Sequence, residues 1–355
     1  MKLTTLKTTL DHAKHFLTNQ DFIAVLQHFA FDGESVTAFN DIQACRLKLD
    51  TDLQCTIPGN LLIRLLSTLN TEVIDIKENK TKTHVDIISG KNKTKLPMLP
   101  LEDFVFTLPE TTEAPITLTP DVIEGIRKCL ISVSANPTRP EFNGINFIIE
   151  RDSLKLYSSD GKTISRYTLD DKFSVEATEQ IQSILPSFFC EKLTTLHPAL
   201  VGKTANVECQ FDTQWVTANL DGNFLFTRVI DRKPPDCEGA ILTYAADADK
   251  LLMWEIPSEL ESILDRAVLF LDAQNGINES EFAVTGNEVR VHTASVLGTS
   301  TDTFNIPIDL GKFTFAVDPN LMLRAFRICK KMTLKPNVVI LQNENFLHLI
   351  STKSQ

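Results

Sequence analysis

The side chains that could support acid–base, nucleophilic or metal chemistry are scattered along this sequence. Its seven His and seven Cys form no HExxH string and no CxxC pair, so neither a zinc site nor a disulfide framework is indicated. Glu102 and Asp103 are adjacent carboxylates, but they follow a predicted strand, where a solvated turn is the better interpretation. The sequence also contains no glycine-rich phosphate loop and no nucleophile turn. We therefore expect a protein that is not an enzyme and that needs no metal or cofactor.

Basic side chains are arranged more regularly than the catalytic types. In a helix predicted from Asn320, the spacing of Arg324, Arg327 and Lys331 places them on one face. Arg64 and Lys192 lie at comparable points of the two equivalent helices, and the leading helices add Lys14, Arg127 and Arg266. Such a set could contact phosphates without reading bases, although exposed Lys and Arg are also common on ordinary solvated helix faces.

The helices that carry these cations belong to an internal repeat. Pro58, Pro186 and Pro319 each open a short amphipathic helix, and they lie 128 and 133 residues apart, which is the size of a domain. Each helix lies between two predicted β-hairpins, which begin at Phe29, Val73, Asn146, Asn206, Glu281 and Asn337. The start signals of a further helix in each repeat are Thr8 with Asp11, Thr119 with Pro120, and Ser258 with Glu261.

The repeat predicts an α+β fold with three domains, at residues 1–112, 113–234 and 235–355. In each domain, two helices should bury their apolar stripes against antiparallel sheet. The polar, proline-containing stretches 108–119 and 231–239 read as linkers between the domains.

Composition restricts the possible partners. Hydrophobic residues make up 43% of the chain and charged residues 23%, as in ordinary globular proteins, and no apolar run could span a bilayer. With charges where a signal peptide needs apolar residues, the N-terminus favours a cytoplasmic protein. The net charge of -11 disfavours binding to nucleic acid by overall attraction, unless the basic residues are confined to one surface.

Four short strings, in this order, resemble a known family. They are LPLEDF (99–104), FNGINF (142–147), SDGK (159–162) and LDGNF (220–224). Together with the triplication, they resemble the bacterial-type DNA polymerase III beta subunits, the sliding clamps. Two departures are typical of a divergent member, such as one carried by a virus or mobile element. The stretch 247–257 resembles an insertion, and the ending STKSQ replaces the family's apolar C-terminus.

The resemblance implies a non-catalytic ring that encircles duplex DNA and confers processivity on a DNA polymerase. Three domains per chain would close such a ring as a head-to-tail homodimer. In the family, the basic helices face the DNA, joined by a second-domain loop that matches Asn136 and Arg139 here. The competing hypothesis is a repeat-built protein-interaction scaffold that does not encircle DNA.

The resemblance also implies a pocket for short linear motifs from the polymerase and the clamp loader. Its positions here are Phe142, Ser159, Gly161, Lys162, Thr163, Ile164, Leu225, Val229, Leu349 and Ile350. The alternative is that Asp160–Gly161 is a plain turn and that the apolar residues are core. For the dimer interface, the matching residues are Leu96, Leu269 and Phe270, and burial of Leu269 and Phe270 within their own domain is the alternative.

Overall fold

The structure, a computed structural model, describes residues 1–18, 23–104, 106–107, 109, 114–170, 180–245 and 252–354. Two compact units are present. Unit 1 contains Met1–Ile123 and Glu191–Val229, and unit 2 contains Glu124–Cys190 and Ile230–Gln355. The predicted boundary at residues 112 and 113 lies outside the described residues, so the division into three domains stays a prediction.

Seven α-helices lie in the described residues. They are α1 (Leu3–Ala13), α2 (Gly59–Ser67), α3 (Pro120–Cys129), α4 (Ser187–Leu200), α5 (Cys237–Ala245), α6 (Leu260–Val268) and α7 (Pro319–Phe326). In unit 1, α1 packs against α2, and in unit 2, α6 packs against α7. None of the helices in these described ranges has the length and apolar character needed to cross a bilayer.

Unit 1 contains two antiparallel sheets. The larger has the strand order β8-β4-β1-β2-β3-β16-β15-β14-β9, and the smaller has the order β5-β6-β7. The strands are β1 (His28–Asp32), β2 (Ser35–Phe39), β3 (Gln43–Lys48), β4 (Gln54–Pro58), β5 (Asp75–Glu78), β6 (His84–Ser89), β7 (Asn92–Pro97), β8 (Leu99–Pro100), β9 (Ile116–Leu118), β14 (Val207–Phe211), β15 (Trp215–Leu220) and β16 (Asn223–Arg228).

Unit 2 also contains two antiparallel sheets. The larger has the order β13-β10-β11-β12-β24-β23-β22-β17, and the smaller has the order β20-β19-β18-β21-β25. The strands are β10 (Gly144–Glu150), β11 (Ser153–Ser159), β12 (Thr163–Asp170), β13 (Ile181–Pro186), β17 (Trp254–Glu255), β18 (Ser280–Thr285), β19 (Glu288–Ser295), β20 (Gly298–Asn305), β21 (Lys312–Val317), β22 (Lys331–Lys335), β23 (Val338–Asn343), β24 (Phe346–Ser351) and β25 (Lys353–Ser354).

All six predicted hairpins form. The pairs are β1–β2, β5–β6, β10–β11, β14–β15, β18–β19 and β23–β24, each antiparallel. In the LDGNF string, Asp221 and Gly222 both have positive φ, at 53° and 76°, which suits the tight turn between β15 and β16. The predicted α+β class is confirmed, because alternating apolar residues give strands whose buried faces are covered by amphipathic helices.

The first of the predicted helix starts was wrong. Thr8 and Asp11 lie inside α1, whose first residue is Leu3, and do not cap it. The other two were right, because α3 begins at Pro120 and α6 begins at Leu260, between Ser258 and Glu261, although no side chain caps α6. Of the three repeat prolines, Pro319 alone occupies the first helical turn, because Pro58 and Pro186 end the preceding strands.

The long basic helix predicted from Asn320 was also wrong in its extent. The α-helix α7 ends at Phe326, Arg327 follows as its C-cap residue, and Lys331 opens strand β22. Arg324, Arg327 and Lys331 therefore do not share a face of one helix. The three side chains are nevertheless all exposed.

One helix was missed. Residues 231–239 were predicted to be a linker, but α5 begins at Cys237 inside that stretch. Of the predicted insertion at 247–257, the structure describes residues 252–257. Within this part, Trp254 of β17 pairs with Met332 of β22. All seven Cys are buried and belong to the cores of the two units.

Candidate functional site

A tight turn between β11 and β12 carries the predicted pocket residues Ser159, Gly161, Lys162 and Thr163. Gly161 has a φ of +87°, a conformation that favours glycine. The Asp160 carboxylate accepts hydrogen bonds from the backbone N–H groups of Lys162, at 2.8 Å, and Thr163, at 2.7 Å. The Ser159 hydroxyl donates to the Thr163 carbonyl at 2.8 Å. These bonds hold the turn in one conformation and leave the Lys162 side chain exposed.

Strand pairing brings the turn next to the end of the chain. β12 pairs with β24, in a register that puts Ile164 opposite Leu349 and Thr163 opposite Ile350. The Ser351 N–H donates to the Lys162 carbonyl at 2.9 Å, which extends the pairing to the turn. Four of the predicted pocket residues are thus neighbours across two strands that are far apart in sequence.

The same register divides these four residues between two faces of the sheet. Because side chains alternate along a strand, Ile164 and Leu349 point to one face, and Thr163 and Ile350 point to the other. Thr163 donates its hydroxyl to Ser132 at 3.0 Å in the buried interior, and Ile350 is fully buried. We therefore correct the prediction that all four line one pocket, because only Ile164 and Leu349 can share a wall.

Below the second face lies a buried polar cluster that the sequence analysis missed. His348 Nδ1 is 2.9 Å from Ser165 Oγ and 3.4 Å from Ser132 Oγ, and the two serine hydroxyls are 2.8 Å apart. Burial lowers the pKa of His348 to about 4, although the Asp160 carboxylate acts in the opposite direction. The imidazole is therefore neutral at pH 7, and the cluster joins β12 to β24 without a charge.

Phe142 and Arg139 lie beside the turn. Phe142 is buried, and the Arg139 guanidinium lies 4.0 Å from the centre of its ring. A Cβ atom on Gly161 would be 3.7 Å from an Arg139 nitrogen, so this arginine belongs with the pocket residues. The Asn136 side chain accepts hydrogen bonds from the Thr138 N–H and hydroxyl, and it therefore shapes its own loop.

The two remaining pocket positions, Leu225 and Val229, lie in unit 1. Leu225 is fully buried in β16, where it is opposite Cys45 of β3. Val229 is half-buried, and its N–H donates to the Gln214 carbonyl at 2.9 Å. Leu225 is thus part of the unit 1 core. This agrees with the alternative hypothesis, in which the apolar residues of the predicted pocket are core residues.

The predicted DNA-facing cations fall into two groups. Five have an acidic partner within 4.0 Å: Lys14 with Asp11, Arg127 with Glu124, Arg139 with Glu141, Lys192 with Glu191, and Arg266 with Asp302. Lys192 is also poorly accessible, since only 12% of its side chain is exposed. Arg64, Arg324, Arg327 and Lys331 are exposed and form no ion pair with any residue in the described ranges. Within the predicted DNA-facing set, these four are the cations available to an external phosphate.

The predicted dimer residues differ in exposure. Leu96 is buried in β7, opposite Val85, so its side chain is used within its own chain. Leu269 follows α6 and is 70% exposed, and Phe270 lies against Gly298 at the start of β20. Val296 and Leu297, in the turn before β20, are 81% and 61% exposed and were missed by the sequence analysis. We call Leu269, Phe270, Val296 and Leu297 the α6 patch.

The described residues contain no group of three or more His, Cys, Asp or Glu side chains that could hold a metal ion.

Residues 118–236 match the family model described as DNA polymerase III beta subunit, central domain. The whole fold matches a DNA polymerase sliding clamp from Bacillus subtilis with a TM-score of 0.82 and 16% identity, covering 99% of this chain and 97% of that one.

The chain has the sliding-clamp fold. Its central segment matches the DNA polymerase III beta subunit family, so the family resemblance seen in the sequence is confirmed.

Two other sliding-clamp structures also match this chain over nearly the whole length of both chains. The DNA polymerase III subunit beta of Pseudomonas aeruginosa has a TM-score of 0.82 and 15% identity, covering 100% of this chain and 99% of that one. The beta subunit of Streptococcus pyogenes has a TM-score of 0.81 and 17% identity, with the same coverage. Comparison with curated proteins found no match. The fold is therefore shared over at least 97% of these solved chains, although the sequences are only 15–17% identical.

Proposed function

We propose that the protein is a DNA sliding clamp, which encircles duplex DNA and tethers a DNA polymerase to it. The observation that carries this proposal is the match of the entire chain to bacterial clamps, together with the family match of its central segment. Clamps of this fold act without catalysis, and the absence of a catalytic or metal pattern in the sequence agrees with that role. For such a protein, the proposed place of action is the cytoplasm, where bacterial DNA is replicated.

The proposed mechanism depends on topology and weak phosphate contacts. A closed ring stays on DNA because the two are linked, so strong binding is not needed and would slow sliding. Arg64, Arg324, Arg327 and Lys331 are exposed and unpaired among the described residues, which suits contacts to phosphates that do not read base sequence. The overall charge of -11 then limits attraction to DNA elsewhere on the surface.

The proposed ring closes by head-to-tail pairing of two copies. β7 lies at the end of the three-stranded sheet of unit 1, and β20 lies at the end of the five-stranded sheet of unit 2. Such edge strands present unpaired N–H and C=O groups, through which two sheets can join. The α6 patch lies beside β20 and supplies apolar area of the kind that subunit interfaces bury. In this proposal Leu96 contributes through the backbone of β7.

The proposed partner site is the face that carries Ile164 and Leu349, near the rigid turn at Gly161. A solved clamp from Helicobacter pylori with the same fold, at a TM-score of 0.78 and 17% identity, is bound to a DNA ligase peptide. We propose that short linear motifs of the polymerase and the clamp loader bind this chain at the Ile164 face. Phe142, Lys162 and Arg139 border the same turn and would contact the motif's flanks.

The experiment that tests the ring compares nicked circular DNA with the same DNA made linear. After loading, a clamp should remain on the circle and slide off the free ends of the linear form, because only the circle is topologically closed. Gel filtration of the DNA-bound fraction measures this difference. Equal retention on both forms would contradict the proposal and favour an interaction scaffold that does not encircle DNA.

A further inference from the structure

Helix α5 lies on the sheet face that carries Ile164 and Leu349. In the register of β12, β24 and β23, Leu349 is opposite both Ile164 and Ile340, so these three side chains form one row. Ile340 and Leu349 belong to a buried apolar cluster with Cys237, Ile241 and Ala245 of α5. Ile164 packs against the same cluster. The buried side of α5 therefore covers the proposed motif-binding face.

The apolar surface of this face is already used inside unit 2. Leu349 is 2% exposed, and Ile241, which packs in the same cluster, is 2% exposed. A motif that binds through apolar side chains gains affinity by removing such surface from water. While α5 is in place, that gain is not available to an external peptide.

Polar contacts hold both ends of α5. Near its start, the Tyr157 hydroxyl donates to the Glu238 carboxylate, and Arg166 lies 4.0 Å from the same carboxylate. Near its end, the Lys335 ammonium donates to the Tyr244 carbonyl at 3.1 Å. A cation at a helix C-terminus is favourable, because the last carbonyl groups carry partial negative charge. These contacts come from β11, β12 and β22, the same sheet that carries the covered face.

The other side of α5 is open. Leu242 and Tyr244 are 58% and 37% exposed. A nine-residue helix is too short to be stable by itself in water, so α5 depends on its contacts with the sheet. Losing those contacts would free the helix without requiring any strand of the sheet to separate. The Ile164 face could therefore be uncovered while the sheet remains intact.

We propose that α5 is a built-in cover that competes with partner motifs for the Ile164 face. This inference rests on the proposed clamp function, because it concerns the binding site of that clamp. A motif gains access when α5 leaves the face, so its apparent affinity is the intrinsic affinity multiplied by the uncovered fraction. Partner binding is thereby restricted to motifs strong enough to displace the helix, or to conditions that weaken its contacts.

The first test measures binding of the DNA ligase peptide, as bound to the Helicobacter pylori clamp, to the full-length protein by fluorescence anisotropy. Ile241→Asp places a carboxylate in the apolar cluster and should release α5. We expect it to raise peptide affinity by about tenfold, because the uncovered fraction increases. The matched control is Leu242→Asp, which puts the same charge on the exposed side of α5 and should leave affinity unchanged. Adding Ile164→Asp to Ile241→Asp should abolish the gain.

The second test reports the position of α5 directly. Cys237 is buried at the start of the helix, and burial raises the pKa of its thiol to about 12, so it should react slowly with iodoacetamide. The peptide should accelerate modification of Cys237, located by mass spectrometry, because binding displaces the helix. Cys209, buried in unit 1, is the internal reference and should keep its rate.

The results of these tests distinguish two roles of α5: a cover that can leave the Ile164 face, and a permanent part of the core. If Ile241→Asp speeds Cys237 modification but leaves peptide affinity unchanged, α5 does not compete and the proposal is overturned. If Ile241→Asp fails to fold, Tyr157→Phe replaces it, since this change removes only the hydroxyl that binds Glu238. A gain of about threefold is then expected, and no gain overturns the proposal.

The same preparations separate this inference from the proposed function. Retention on nicked circular DNA is measured for the wild-type protein and for both α5 variants. Loss of retention by the wild type would refute the clamp function itself. Normal retention with no peptide binding by any variant would refute the cover together with the motif site at the Ile164 face, and would leave the ring intact as a proposal.

Discussion

His348 Nδ1 lies 2.9 Å from the Oγ of Ser165, its register partner on the neighbouring strand. The pair joins β12 to β24, whose partner residues are 183 positions apart in sequence. A buried polar pair of this kind must be satisfied internally, because no water is available to replace a lost hydrogen bond. The contact therefore holds one specific alignment of the two strands, and with it the alignment of Ile164 with Leu349.

Stability should fall as the solution is acidified through the range of the His348 titration. Burial lowers the folded-state pKa from 6.5 to about 4, so the folded protein keeps this imidazole neutral. Below pH 6.5 the unfolded chain binds a proton that the folded chain does not, and stability is lost until about pH 4. The loss from this group is roughly 3 kcal/mol.

Urea unfolding between pH 4 and 8 measures this effect. His348→Gln keeps a hydrogen-bonding side chain but does not titrate, so its unfolding free energy should depend less on pH than that of the wild type. Identical pH profiles for the two proteins would show that His348 is not the titrating group.

Gly125→Ala should destabilise the protein although alanine favours helices. Gly125 lies in α3, and a Cβ atom there would be 2.4 Å from the Tyr167 ring. The clash should outweigh the gain in helix propensity of about 1 kcal/mol, since overpacking a core costs about 1–3 kcal/mol. Thermal unfolding measures the change. In a Tyr167→Leu background the same substitution should be tolerated, and an equal loss in both backgrounds would contradict the contact.

Reversing two unpaired cations should weaken loading onto DNA. We expect the double variant Arg324→Glu with Arg327→Glu to lower the loaded fraction several-fold, because both exposed side chains would then repel phosphates. The dimer should remain intact in analytical ultracentrifugation. Arg151→Glu with Lys155→Glu, on the β10–β11 hairpin, changes the net charge equally and serves as the control. A similar loss in both variants would mean that overall charge, and not Arg324 and Arg327, determines loading.

A charge in the α6 patch should dissociate the proposed ring. Leu269 is 70% exposed, and Leu269→Asp would place a carboxylate in the proposed subunit interface without disturbing the core of its own chain. Sedimentation velocity should show a monomer for this variant at concentrations where the wild type is a dimer. Ile42→Asp, at another exposed apolar position, should stay dimeric. A dimeric Leu269→Asp protein would exclude the α6 patch from the interface.

Local features of the fold could be predicted because they depend on residues close together in sequence. Alternating apolar runs predicted all six hairpins, and the Asp221–Gly222 pair marked a turn with two positive φ angles. The prediction that Arg324, Arg327 and Lys331 share one helix face was wrong because it also considered only residues close together in sequence. Counting from Asn320 assumed that the helix continues, but the contacts of Met332 and Leu334 with the sheet favour a strand from Lys331.

The cover was not predictable from its own residues. The string CEGAILTYA has apolar residues on both sides of a helix, since Ile241 and Ala245 are buried and Leu242 is exposed. It therefore lacks the one-sided pattern that identifies an amphipathic helix. Its helical state depends on a sheet face built from β11, β12, β23 and β24, which are remote in sequence.

The sequence by itself determined the antiparallel hairpins and the family model that the central segment matches. These features follow from periodicity and turn chemistry within short windows. Only the tertiary structure decided which cations remain unpaired, that Thr163 and Ile350 point away from Ile164 and Leu349, and that α5 packs on the sheet face of Ile164 and Leu349. The physical reason is that ion pairing, strand register and burial depend on partners supplied by distant parts of the chain.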